Sequence, residues 1–392
     1  DYVQDIWLRL MSSARLRGEL TAELDERFAW QVLLGRDRTV NAFALPGGYL
    51  GVHLGLIAVV NNEDELASVL AHELSHVTQR HIVRLISRQS SQAPWLLGAM
   101  ILGALAAGSN PGAAGAVIVG GQAAAVQGQL NFSRDMEREA DRVGYGVMTQ
   151  AGFDGRGFVT MFEKLQQANR FNDTGAYPYL RSHPLTTERI ADMQARQQLA
   201  VSAPTAPPVM THAMLAARAR ILANSEVDNL RATLAQAEAS MFANLPPAQQ
   251  AGVLYGAVMA AGRLREFEQA RRSLSQLQAL TARDPQASYQ VRLLAAELAL
   301  TEGHLDQAAS TVANDAPGST ATDTPRALFL LRASVLIQSG KAREAAERLQ
   351  VWVASRPRDA SAWQLLATAY TAQGQTLRAI RADAEVQAAR LD

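Results

Sequence analysis

Two glycines and two alanines near the end of the chain set the strongest constraint on how it folds. Gly340 and Gly374 are 34 residues apart, and so are Ala345 and Ala379. Gly303 and Ala308 repeat the same five-residue offset one unit earlier. A fixed period of this size marks stacked supersecondary units, each too small to bury its apolar face alone. The unit is a helix pair, with Gly in the turn and a small residue where paired helices touch. Trp363, Leu366, Ala367 and Tyr370 precede the last Gly, and Pro357 closes the unit before it. Glu266-Phe267-Glu268-Gln269-Ala270 reads as another second-helix start, with a longer turn after Gly262.

These are tetratricopeptide (TPR) positions. About four helix pairs are expected over 209–392, in a curved solenoid whose inner face binds a partner. The run Ala203-Pro204-Thr205-Ala206-Pro207-Pro208 reads as a linker. Residues 1–202 then make the other domain. A helical start leads to a strand at Ala29–Leu34, and Val40–Val60 reads as short strands and turns around Gly47, Gly48 and Gly51. A helix capped by Asn61 or Asn62, with Glu63, Asp64 and Glu65 in its first turn, is predicted to run through about Arg88. Further helices are predicted over Arg134–Ala151, Gly155–Ala168 and Thr187–Val201, with a loop at Phe171–Pro184. The expected fold class is mainly α with a small β-sheet: an α+β domain followed by an all-α solenoid.

Lys+Arg and Asp+Glu are both 37, split 18 against 20 over positions 1–200 and 19 against 17 thereafter. Neither half is basic, which argues against nucleic acid as a partner. Cysteine is absent, so disulfides, thiolate metal sites and a cysteine nucleophile are all excluded. The chain opens at Asp1 with no basic and apolar leader, the form expected either of an exported protein after its signal is removed or of a trimmed chain. Residues 93–130 carry no charge but are broken by Gly108-Ser109-Asn110-Pro111-Gly112. A spanning helix needs ~20 continuous apolar residues, so an interfacial or cleft-covering helical hairpin is expected, able to touch a membrane surface.

The chemistry sits in His72-Glu73-Leu74-Ser75-His76. On a helix, histidines at i and i+4 share one face, and two neutral imidazoles there reach a single Zn²⁺. Glu73 lies beside the metal, placed to take a proton from the attacking water and return it to the leaving amine. The flanks Leu70, Ala71, Leu74 and Val77 put the motif on a buried helix, where imidazoles and a carboxylate need a reason. His81 lies about 140° around a continuous helix from His76, so it is predicted to point away, on the surface. The third ligand must come from elsewhere. Glu137 and Asp141 share a face, as a ligand and as a carboxylate that holds an imidazole N–H. A solvated face paired with arginines is the alternative for both, and spacing alone does not decide. For Glu139, about 160° from Glu137, the solvated face is expected.

The order of these segments resembles the gluzincin family of HtpX and the CAAX prenyl proteases. The match comprises Asn41-Ala42-Phe43-Ala44-Leu45-Pro46-Gly47-Gly48, the His72–His76 motif, Glu137-Arg138-Glu139-Ala140-Asp141, and Ser182-His183-Pro184 with Glu188-Arg189-Ile190. The attached TPR array narrows the resemblance to the BepA-type group of periplasmic metallopeptidases. It implies a zincin catalytic domain, one Zn²⁺ held by His72, His76 and Glu137, and Glu73 as base. It also implies a substrate strand alongside Asn41, Ala42 and Phe43. A His-Pro in a loop is ordinarily structural. The resemblance instead implies a site role for His183, as oxyanion stabiliser or removable fourth ligand, with Tyr177 and Tyr179 as weaker oxyanion candidates. The implied function is a periplasmic zinc endopeptidase for misfolded or stalled outer-membrane proteins, whose TPR domain meets the assembly machinery. The rival expectations are a TPR chaperone or adaptor with latent proteolysis, and an integral membrane protease.

Overall fold

A computed structural model describes residues 2–45, 47–85, 87, 133–170, 176–199, 209–313 and 324–390. The expected hairpin at 93–130 and the linker at 203–208 lie outside the described residues. The chain divides into two compact units, Tyr2–Pro208 and Val209–Asp392. Helices dominate both, and the described residues contain one three-stranded sheet. Among the described residues, no helix is long and apolar enough to cross a membrane.

In the first unit, α1 (Tyr2–Leu16) buries Ile6, Trp7, Leu10, Met11 and Ala14 along one stripe. After α2 (Ala22–Arg27) come β1 (Gln31–Gly35), β2 (Ala42–Leu45) and β3 (Tyr49–His53). The sheet order is β1-β3-β2, with β1 parallel and β2 antiparallel to β3. Gly47 and Gly48 take φ of 87° and 81° in the turn between β2 and β3, values an L side chain resists. Residues Leu54–Val59, expected as strand or turn, form a short helix, α3. A continuous apolar run of that length carries no period to separate the two states.

The motif helix α4 spans Glu63–Thr78. Asn62 caps it, its side chain accepting from Glu65 N at 2.8 Å. Every residue from Glu65 to Ser75 is buried, so α4 is the axis of the unit. The helix stops ten residues short of the predicted end. Gln79 N still donates to Ser75 O at 2.9 Å, but Arg80 turns left-handed, φ 54°, before α5 (81–85) begins. Helix α6 (133–150) crosses α4 closely at Gly144, where an added Cβ would stand 3.1 Å from the backbone of Ala71 and His72. Next come α7 (Arg156–Arg170), the single-turn α8 (Tyr179–Ser182), which lies inside the predicted loop, and α9 (Thr187–Leu199).

The second unit holds ten described α-helices, α10 (Met210–Ala223) to α19 (Thr376–Arg390). Among them Pro247–Leu264 packs on Phe267–Thr281, Pro285–Glu302 on Leu305–Ala313, Arg326–Gln338 on Ala342–Ser355, and Ala360–Ala372 on Thr376–Arg390. Gly303, Gly340 and Gly374 end their helices at φ of 84°, 76° and 72°, as a left-handed residue after a helix C-terminus does. The Gly262 expectation shifts: Gly262 is buried within α12 (Pro247–Leu264), and the left-handed residue is Arg265, φ 61°. Ala270, Ala308, Ala345 and Ala379 are all buried, so the small-residue positions are helix contacts. Trp352 stacks on Phe329 at 4.0 Å and donates from Nε1 to Asp359 Oδ2 at 3.0 Å.

Candidate metal centre

Helix α4 presents His72 and His76 on one face, as the i, i+4 spacing requires. Their Nε2 atoms approach to 2.9 Å. Helix α6 adds Glu137, whose carboxylate oxygens lie 3.4 Å from each of those nitrogens. His183, next after α8, places Nδ1 3.2 Å from His72 Nε2 and 3.1 Å from Glu137 Oε1. The ligand atoms of these four residues lie within 4.8 Å of one another, and only His76 is more than marginally exposed. A tetrahedron with ~2.0–2.1 Å bonds has edges of about 3.3 Å, close to the spacings found.

Charge makes the same demand. Glu73, Glu137 and Asp141 are buried and carry three formal negative charges against one guanidinium, that of Arg189. With the imidazoles neutral, as metal ligands are, two remain for a divalent cation to balance. Burial disfavours a charged His72, yet Asp141 and Glu137 outweigh it and raise its pKa to about 10. Burial, and the neighbouring His72, push His76 well below its usual value. Burial alone would raise Glu137, but His183 and His72 hold it far below the usual carboxylate range. A pocket that draws a proton onto one imidazole in this way fits a metal cation.

Glu73 faces the cluster from the sheet side. Its Oε2 accepts from Ala44 N on β2 at 3.1 Å. Its Oε1 is buried without a hydrogen-bond partner, 3.4 Å from His183 Nε2. In the register with β3, Asn41 O accepts from His53 N and Phe43 stands opposite Gly51, so the backbones of Asn41 and Phe43 face β3. The outward backbone groups of β2 belong to Ala42 and Ala44. The loop after α7 is tied to this edge through Val40 N to Ala176 O at 2.8 Å.

Asp141 lies behind His72, with Oδ1 2.8 Å from His72 Nδ1. It also accepts twice from Arg189, at 2.6 Å and 2.8 Å. Arg189 further reaches Glu137 Oε2 at 3.0 Å and donates to Pro184 O at 2.8 Å. Sequence reasoning assigned Arg189 no role, because a buried arginine reads like any surface arginine until its partners are known. Tyr179 is buried and its ring stacks on His183 at 4.7 Å with an interplanar angle of 27°. Burial, then Glu73 and Glu137, push its phenol well above the usual value.

One expectation is overturned and one is refined. His81 does not point to solvent: it is 2% exposed, and its Nδ1 is 2.9 Å from His76 Nδ1. The 140° estimate assumed one continuous helix, and the left-handed Arg80 breaks it. Glu139 is partly exposed and pairs with an arginine, as the solvated-face reading expects, but the arginine is Arg84 at 2.6 Å, and its Oε2 also meets His81 Nε2 at 3.1 Å.

Similarity to known proteins agrees with the geometry. The profile of peptidase family M48 matches residues 2–197. The chain belongs to peptidase family M48. It is 31% identical to the beta-barrel assembly-enhancing protease of Escherichia coli K12 over all of this chain and 76% of that one. The protein of that name from Yersinia pestis is 30% identical over 88% of this chain and 68% of its own length. The mitochondrial metalloendopeptidase OMA1 of Saccharomyces cerevisiae is 26% identical over 49% of this chain, 54% of its own. As an M48 member the chain is a metalloendopeptidase, and the His72, His76, Glu137 and His183 cluster suits its metal.

One consequence is measurable without substrate. Burial would raise the Asp141 pKa, but Arg189 and His72 lower it below the usual aspartate value. A depressed folded pKa stabilises above the unfolded value of ~3.9 and is lost as pH falls through the folded value. Arg189→Met leaves the buried Asp141 carboxylate with His72 but without its guanidinium and is expected to cost about 3–5 kcal/mol at pH 7. That deficit should shrink in acid, on thermal unfolding followed by circular dichroism. A deficit under 1 kcal/mol at pH 7 contradicts the buried pair.

Proposed function

We propose that this metallopeptidase is a zinc-dependent endopeptidase that cleaves misfolded or stalled outer-membrane proteins in the periplasm. The observation that carries the reading is the convergence of His72, His76, Glu137 and His183 with a buried Glu73 Oε1 that makes no hydrogen bond and lies 3.4 Å from His183 Nε2. His72, His76 and Glu137 would hold the metal, with Asp141 fixing His72 from behind. Zinc held there supplies an electrophile that lowers the pKa of water and polarises a peptide carbonyl. Glu73 Oε1 accepts the proton of the attacking water and delivers it to the leaving nitrogen. Ala44 N–H fixes the other carboxylate oxygen, so the base is aligned without substrate. An extended substrate strand pairs with the outward backbone of Ala42 and the carbonyl of Ala44, whose N–H is held by Glu73, beside Asn41 and Phe43.

The names of the enterobacterial relatives point to outer-membrane assembly, and the unfolded state of such substrates fits an edge-strand binding mode. The 34-residue period and the left-handed glycines support a TPR array as the second domain, recruiting substrates or the assembly machinery. The test incubates the purified chain with an unfolded β-barrel protein. Discrete cleavage that stops with a chelator and returns with Zn²⁺ is expected. Cleavage unaffected by the chelator rules the proposal out.

A second reading is favoured by one observation, the seating of His183 within the cluster. As a fourth ligand it would occupy the position that catalysis needs open, giving a latent enzyme in which binding by the TPR domain dominates.

A further inference from the structure

Each imidazole has two nitrogens, and the second nitrogen of His76 is turned away from the cluster. Its Nδ1 meets Nδ1 of His81 at 2.9 Å, so one hydrogen lies between two rings. The far side of His81 decides which ring carries it. There His81 Nε2 meets Oε2 of Glu139 at 3.1 Å. A carboxylate only accepts, so His81 carries its hydrogen on Nε2, and a neutral His81 then has a bare Nδ1. The shared hydrogen therefore sits on His76 Nδ1. That leaves His76 Nε2 with its lone pair free, facing His72 Nε2 and Glu137.

We propose that His81 and Glu139 are positioning residues of the metal centre, a relay that fixes the His76 ring and its tautomer and thereby sets metal affinity. Asp141 does the same for His72 in one step. Three acidic residues of α6 are thus each committed: Glu137 to the cluster, Asp141 to His72, and Glu139 to His76 through His81. Arg84 donates to Glu139 at 2.6 Å and holds its carboxylate in place. The left-handed Arg80 brings His81 back over His76. Outer partners of metal-bound histidines commonly alter affinity 10- to 100-fold.

The inference rests on His76 as a ligand, so the experiment separates the two claims. Affinity of the full chain for Zn²⁺ is measured by competition with a chromophoric chelator, and the geometry of the site by the visible spectrum of the Co²⁺ form. His81→Leu removes the acceptor and is expected to weaken binding about 10- to 100-fold and to change the Co²⁺ spectrum. His81→Gln offers an amide oxygen to His76 and an amide N–H to Glu139, and is expected to bind within about threefold of the parent. Glu139→Ala, at a half-exposed position, tests the same relay should the leucine variant not fold, and is expected to weaken binding about tenfold. Unchanged affinity in His81→Leu or Glu139→Ala overturns the relay, as does equal loss in the Leu and Gln variants. A His76→Ala chain that binds like the parent removes the ligand assignment itself.

Discussion

Glu73→Gln is expected to keep the fold and the metal while cleavage of an unfolded protein falls by about 10²–10⁴-fold, the usual worth of a general base. Gln is close to Glu in size and still accepts from Ala44 N through its amide oxygen, so the contact with β2 survives. What disappears is the proton acceptor at Oε1, the atom buried without a partner beside the cluster. Metal content by elemental analysis should match the parent chain. A variant that loses metal together with activity would make Glu73 a ligand rather than a base. One that keeps full activity would remove it from the reaction.

His76→Ala carries the second large effect. Removing one imidazole from a three-ligand site leaves His72 and Glu137, and nearly all bound metal is expected to be lost at micromolar protein. The apo chain should also become less stable to heat with added Zn²⁺ than the parent, because ligand binding adds RT ln(1 + [L]/Kd) only where a site exists. Calorimetry with and without Zn²⁺ reads this directly. An equal Zn²⁺-induced rise in Tm for parent and variant would place the metal elsewhere.

These two effects concern the part of the site that was legible in the sequence. The i, i+4 pairs His72/His76 and Glu137/Asp141 are local geometry: once a segment is helical, its period fixes which side chains share a face. The left-handed glycines of the second unit were readable for a similar reason, since a turn residue and its spacing are local facts.

The unread part depends on departures from regularity and on contacts across the chain. Nothing in Gln79-Arg80 punctuates a helix, since Arg80 takes a conformation that usually belongs to glycine. The turn therefore hid His81, and Glu139 with it. Gly144 looks like an ordinary helix glycine until α4 is found against it. Arg189 and Asp141 are 48 positions apart, and no pattern along the sequence pairs them. Leu54–Val59 lacked a period altogether.

The central claim is that a single metal ion sits where α4 and α6 bring His72, His76 and Glu137 together. Anomalous diffraction from crystals of the full chain grown with zinc, recorded at the zinc absorption edge, tests it most directly. One peak per chain within about 2.0–2.2 Å of His72 Nε2, His76 Nε2 and a Glu137 carboxylate oxygen is the expected result. A strong peak elsewhere in the molecule, with none at this cluster, would contradict it.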